Sequence, residues 1–122
     1  MTYFPNTLSL EAEYTAAQTD TLIITASATQ QVAVTEMTVT IDEAVTVTGV
    51  GFRVGCGSPS TPTATGVILS HAGLMPGQSV SRGTGAGIIA VGDFNEDLRI
   101  TCENPVGGAL RVLVSYFIVE QT

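Results

Sequence analysis

Few side chains in this chain are equipped for chemistry. His71 is the only imidazole, Cys56 and Cys102 are the only thiols, and 11 carboxylates face four guanidinium groups, Arg53, Arg82, Arg99 and Arg111, with no lysine. A Ser-His-Asp relay needs an imidazole oriented by a carboxylate beside an activated hydroxyl. His71 follows Ser70, but its nearest acids in sequence, Glu43 and Asp93, are distant and no GxSxG turn is present, so a structural or surface role is expected. Asp93, Asn95 and Asp97 in DFNED reproduce the first three ligand positions of a calcium loop, D-x-N-x-D. Leu98 then stands where that loop needs glycine, and Asn104 stands where it needs a bidentate carboxylate. A turn that satisfies its own backbone donors is the expectation there, with calcium the one metal worth testing.

The glycine-rich stretch RGTGAGIIAVG, residues 82 to 92, matches neither GxGxxG nor GxxxxGK[ST], and no lysine exists to reach a phosphate. It reads as a turn ahead of the strand Ile88 to Val91. Paired carboxylates for glycoside hydrolysis need a fixed separation across a cleft, and a chain without Trp has few platforms on which a sugar can stack. A non-enzymatic protein without a cofactor is the resulting expectation.

Charge narrows the partners. The net charge of −7 leaves four scattered arginines, which form no cationic stripe able to displace counterions from a nucleic-acid backbone. No basic amphipathic segment suits a membrane surface, and no apolar run is long enough to span one. The start, MTYFPNTLSLEAEYT, lacks a positive region followed by a long apolar one, so synthesis in the cytoplasm, or an already processed mature chain, is expected, with both thiols reduced and buried. A bridge between them would otherwise close a loop worth about 4 kcal/mol.

The elements that must position these groups are strands. The sequence is 44% hydrophobic and only 12% charged, with 13 glycines and abundant threonine and valine. Apolar alternation marks Leu8 to Tyr14, Leu22 to Ile24, Val32 to Ile41 and Val45 to Val54. It continues through Thr65 to Ser70, Gln78 to Arg82, Gly87 to Val91, Leu98 to Cys102 and Ala109 to Val119. An all-β, antiparallel β-sandwich of jelly-roll type with about eight to nine strands follows, as one domain over residues 8 to 122 behind an N-terminal arm, 1 to 7.

The stretch MTVTIDEAVTVT, residues 37 to 48, alternates in two runs around Asp42, Glu43 and Ala44. A three-residue connection pairs Val39 with Val47 and Thr40 with Thr46, face matched to face, so a hairpin is expected, with a bent strand crossing between sheets as the alternative. The apolar phase then flips from Val45 and Val47 to Val50, Phe52 and Val54 beside Gly49 and Gly51, which marks a bulge or a corner between sheets. The segment GCGSPSTPTATG, residues 55 to 66, reads as a surface loop.

Edge strands are normally guarded by lysine, and here none exists. Weakly charged runs such as LRVLVSYFIV, residues 110 to 119, would need cover, so a homo-oligomer is expected. Tyr3, Phe4 and Pro5 in the uncharged arm MTYFPNT read as a terminus that docks on something.

The stretches VTVTGVGFRV and IIAVGDFNEDLRITCENPVGGALRVLVSYFIVE carry a recognisable cadence. Its core is an acidic EDL entering a strand that ends in Thr, then a Gly-Gly turn and a long final strand. This resembles the jelly-roll decoration, or cement, proteins of tailed-phage capsids, over about residues 37 to 120. The resemblance implies a homotrimer on the outer surface of the virion that binds the major capsid protein and clamps neighbouring coat subunits. It also implies a coat-contacting role for Tyr3, Phe4 and Pro5. The competing class is a carbohydrate- or receptor-binding jelly roll of a fibre or tail, its site carried by loops 55 to 66 and 74 to 87.

Overall fold

A computed structural model describes residues 7 to 121. The arm residues Tyr3, Phe4 and Pro5 lie outside the described part. Nine strands run β1 (Leu8–Tyr14), β2 (Gln18–Ile24), β3 (Gln30–Ile41), β4 (Val50–Cys56), β5 (Val67–Leu74), β6 (Ser79–Gly83), β7 (Ala90–Val91), β8 (Leu98–Cys102) and β9 (Leu110–Glu120). One sheet has the order β1-β9-β3-β6, with β7 also pairing β3, and the other has the order β2-β8-β4-β5. All pairings are antiparallel. First and last strands pair in one sheet, second and second-to-last in the other, which is the wrapped double Greek key of a jelly roll.

Alternation places the core between the sheets. In the first sheet Val112 lies between Ala12 and Val39, and Val114 between Leu10 and Met37. Met37, Val39, Val112 and Val114 are fully buried, as are Val50, Val54, Leu98 and Ile100 from the opposing sheet. A register shift between Val34 and Glu36 resets the phase of β3, so that Val32 and Val34 face inward together with Met37 and Val39. The displaced Thr35 is buried, and its Oγ1 donates to the Ser115 carbonyl at 3.1 Å.

Two expectations need correction. The hairpin at Asp42 does not form. Both hydrogen-bonding edges of β3 are already occupied, by β9 and β6, so Val39 sits opposite Val112 and Val80 instead of Val47. After Ile41 the chain crosses to the other sheet as a loop, held by Val45 N–H to the Asp42 carbonyl and Thr46 N–H to the Val106 carbonyl, and β4 starts only at Val50. The phase flip beside Gly49 therefore accompanies the crossing between sheets, and a register shift between Val50 and Phe52 adds the irregularity that the glycines also allow. Gly49 is pressed there against Gly73, whose backbone would stand 3.2 Å from an added Cβ.

The second correction concerns the run 110 to 119. It is an interior strand, with β1 on one side and β3 on the other, and needs no outside cover. The edges are β1, β2, β5 and the β6/β7 line. Without lysine they are blunted by other means. Glu11 and Glu13 sit on β1, β2 and β5 each carry two register shifts, and β6 spans five residues.

Candidate functional site

The jelly roll gathers its loops at two ends, and each of its two sheets turns one face outward. At one end, segments 42 to 49, 75 to 78 and 103 to 109 are tied together by Asp42 N–H to the Ala109 carbonyl and Gly77 N–H to the Ile41 carbonyl. At the other, segments 25 to 29, 57 to 66 and 84 to 97 meet through Gly57 N–H to the Asp97 carbonyl and Asn95 N–H to the Ser27 carbonyl.

Residues 93 to 97 belong to this second end. Asp97 spends one carboxylate oxygen on the Ala26 N–H at 2.9 Å and the other on Arg99 at 2.8 Å. Asn95 adopts a left-handed backbone, φ 63, which lets its N–H reach both Ser27 and Gln30 carbonyls. The Asp93 N–H donates to Glu96 Oε1 at 3.1 Å. Among the described residues, no three His, Cys, Asp or Glu side chains converge as a metal group.

Both thiols are free and buried. In the β4–β8 ladder Cys102 stands opposite Phe52 and Cys56 opposite Leu98, four residues along. That separates them by about 13 Å at strand rise, well beyond disulfide reach. Burial, then the charges of Glu96, Asp93 and Asp97, push the Cys56 thiol up to about 11; burial likewise raises Cys102. At pH 8 only about one Cys56 in a thousand is thiolate. Folded protein should therefore resist iodoacetamide at pH 8 and react fully in urea, and rapid labelling without denaturant would contradict this burial. Because the folded value lies above the unfolded one, the Cys56 contribution is complete below pH 9 and fades as pH climbs toward about 11.

Segment 57 to 66 is strapped to the second sheet. Asp20, in a left-handed conformation at φ 47, accepts the Ser60 N–H at 2.9 Å and the Ser60 hydroxyl at 2.5 Å. Arg53 Nη1 donates to the Thr61 carbonyl at 3.1 Å. The Ser60 bonds hold the Asp20 carboxyl below the usual aspartate range. Beneath this strap lies a cavity of about 410 Å³, lined by Cys56, Thr61, Thr63, Thr65, Asp93 and Glu96. Asp20 gives one sequence signal, an acid inside the run QTDTLII, but its partners sit 40 and 81 residues away.

His71 is exposed on β5, and its Nδ1 accepts the Gly73 N–H at 3.0 Å. It borders a groove of about 450 Å³ with Arg53, Phe52, Thr101 and Glu103. Glu103 Oε1 accepts the Gly51 N–H at 2.6 Å, so no described hydrogen bond links His71 to a carboxylate.

The outward face of the β1-β9-β3-β6 sheet is where the threonines of MTVTI go. Two rows cross it, Glu13-Arg111-Thr40-Ser79 and Glu11-Leu113-Thr38-Ser81. Hydroxyl pairs close them, Thr40 to Ser79 at 2.8 Å and Thr38 to Ser81 at 2.9 Å. Arg111 binds Asp42 through two nitrogens, each at 3.1 Å, and Glu13 at 2.9 Å, tying the crossing loop to β9 and β1. Leu113 remains 45% exposed at the middle of this face.

The fold is similar to that of a chain in the structure of the capsid of Ralstonia phage GP4, with a TM-score of 0.52 and 14% sequence identity, over 100% of this chain and 91% of that one. No family model and no curated protein matches the chain. At that identity the likeness is one of fold alone.

Proposed function

We propose that this chain is a structural protein of a phage head, a decoration or cement protein that binds the outer capsid surface and stabilises contacts between coat subunits. The observation that carries the reading is the end-to-end correspondence of its fold with a chain of a phage capsid. A double sheet whose loops are hydrogen-bonded to one another suits a clamp, since a clamp must hold its shape under load. The net charge of −7 suits a position outside the shell, away from packaged nucleic acid. A homotrimer is part of the proposal. β5, VILSHAGL, is an edge that two register shifts blunt but whose only ionisable side chain is His71, and a neighbouring subunit would complete its cover.

Cosedimentation with undecorated heads of the phage that encodes the chain tests the reading. Saturable pelleting with heads is expected, and a protein that stays wholly in the supernatant overturns it. Native mass should be three times the 12.6 kDa chain mass. Removing residues 1 to 6, with Tyr3, Phe4 and Pro5, should abolish occupancy while leaving the circular dichroism of the sandwich unchanged.

One observation favours the second reading, a glycan- or receptor-binding module. The strapped cavity of about 410 Å³ is lined by hydroxyls and two carboxylates, groups that hydrogen-bond sugars. Glycan-array binding that is lost in Glu96→Gln, together with absence from heads, would replace the capsid reading with this one.

A further inference from the structure

A depression of about 190 Å³ lies on the outward face of the β1-β9-β3-β6 sheet, bounded by Glu11, Thr38, Thr40, Arg111 and Leu113. Its chemistry is asymmetric. The hydroxyls of Thr38 and Thr40 pair with Ser81 and Ser79 on β6, on the side away from β9. Leu113 offers half-exposed hydrocarbon. Arg111 is already held by Asp42 and Glu13. The Glu11 carboxylate, by contrast, takes no hydrogen bond or ion pair among the described residues, and its charge contributes least among those that raise Arg111. The face as a whole carries Glu11, Glu13, Glu36 and Asp42 against one guanidinium.

We propose that this depression receives a lysine or arginine side chain from the surface of a partner protein. The aliphatic stem lies along Leu113, and the charged head reaches Glu11, the division of labour that long cationic side chains adopt at apolar surfaces. A second copy of this chain is a poor donor. It has no lysine, Arg99 and Arg111 are in ion pairs, and Arg53 and Arg82 hold carbonyls of their own chain. The occupant therefore comes from a different protein, and its identification as a coat subunit rests on the proposed function.

Two arms separate these claims. In the first, the full chain is titrated with acetyl-Gly-Arg-Gly-Arg-Gly-amide and followed by amide chemical shifts. Shifts centred on Glu11, Thr38 and Leu113 are expected, lost in Glu11→Gln; shifts spread evenly over Glu43, Glu103 and Glu120 overturn the inference. In the second, Leu113→Arg fills the depression with the chain's own cation and should lower occupancy on heads about tenfold. Leu22→Arg serves as the control, because Leu22 is 47% exposed on β2 in the other sheet and should keep full occupancy. Equal occupancy of wild type and Leu113→Arg overturns the inference. If the wild type itself fails to bind heads, the proposed function falls while the peptide map still decides this site. Should Leu113→Arg misfold by circular dichroism, Glu11→Arg takes its place with the same expected loss.

Discussion

Met37→Ala is expected to reduce the free energy of unfolding by about 3 to 5 kcal/mol, the upper part of the range for a large side chain removed from a core that cannot collapse around the gap. Met37 is fully buried, next to Val114 across the ladder, with Leu10 beyond it in the same row. Both neighbours are fixed by strand hydrogen bonds, which leaves little freedom to relax inward. Its sequence neighbour supplies the contrast. Thr38→Ala removes one partly exposed hydroxyl pair with Ser81 and should cost about 1 kcal/mol or less. Urea unfolding of both variants measures the difference. Similar losses for the two would show that the alternation of MTVTI does not separate a core face from a solvent face.

That alternation was the legible part of the chain. Leu8–Tyr14 and Leu98–Cys102 run between the same residues in sequence and structure, and the final strand differs by one residue at each end, because side-chain period is set locally by the pleat. Partnership is not local. A face-matched hairpin at Asp42 and a bare final strand were both consistent with period two, yet β9 completes the first sheet between β1 and β3 and leaves β3 no edge to spare. The same limit hid the site. Asp20 meets Ser60 and Thr101, and Glu11 meets Leu113, only because a wrapped topology folds distant segments side by side. The glycines beside Val50 were more informative. They marked a bulge or a corner, because a change of apolar phase is itself a local signal of either, and the chain both crosses between sheets before Val50 and shifts register between Val50 and Phe52.

Gly55→Ala should cost about 2 to 3 kcal/mol, despite adding a single methyl group. The site cannot give way, because the new carbon would run into the Gly66 carbonyl and come within 2.7 Å of the Val67 Cα, both backbone atoms. Gly66→Ala should behave alike, since its own Cβ would meet the Cys56 carbonyl. Gly55 and Gly66 thus let β4 and the start of β5 approach closely enough for the Cys56 N–H to reach the Gly66 carbonyl at 3.0 Å. Prising them apart should also loosen segment 57 to 66 from Asp20 and uncover Cys56, which lines the cavity below. Iodoacetamide labelling at pH 8, negligible in the wild type, should then proceed in the folded variant. A variant that loses stability but keeps its thiols protected would place the damage in the ladder alone, and a variant that loses neither would mean that the two glycines are not in contact.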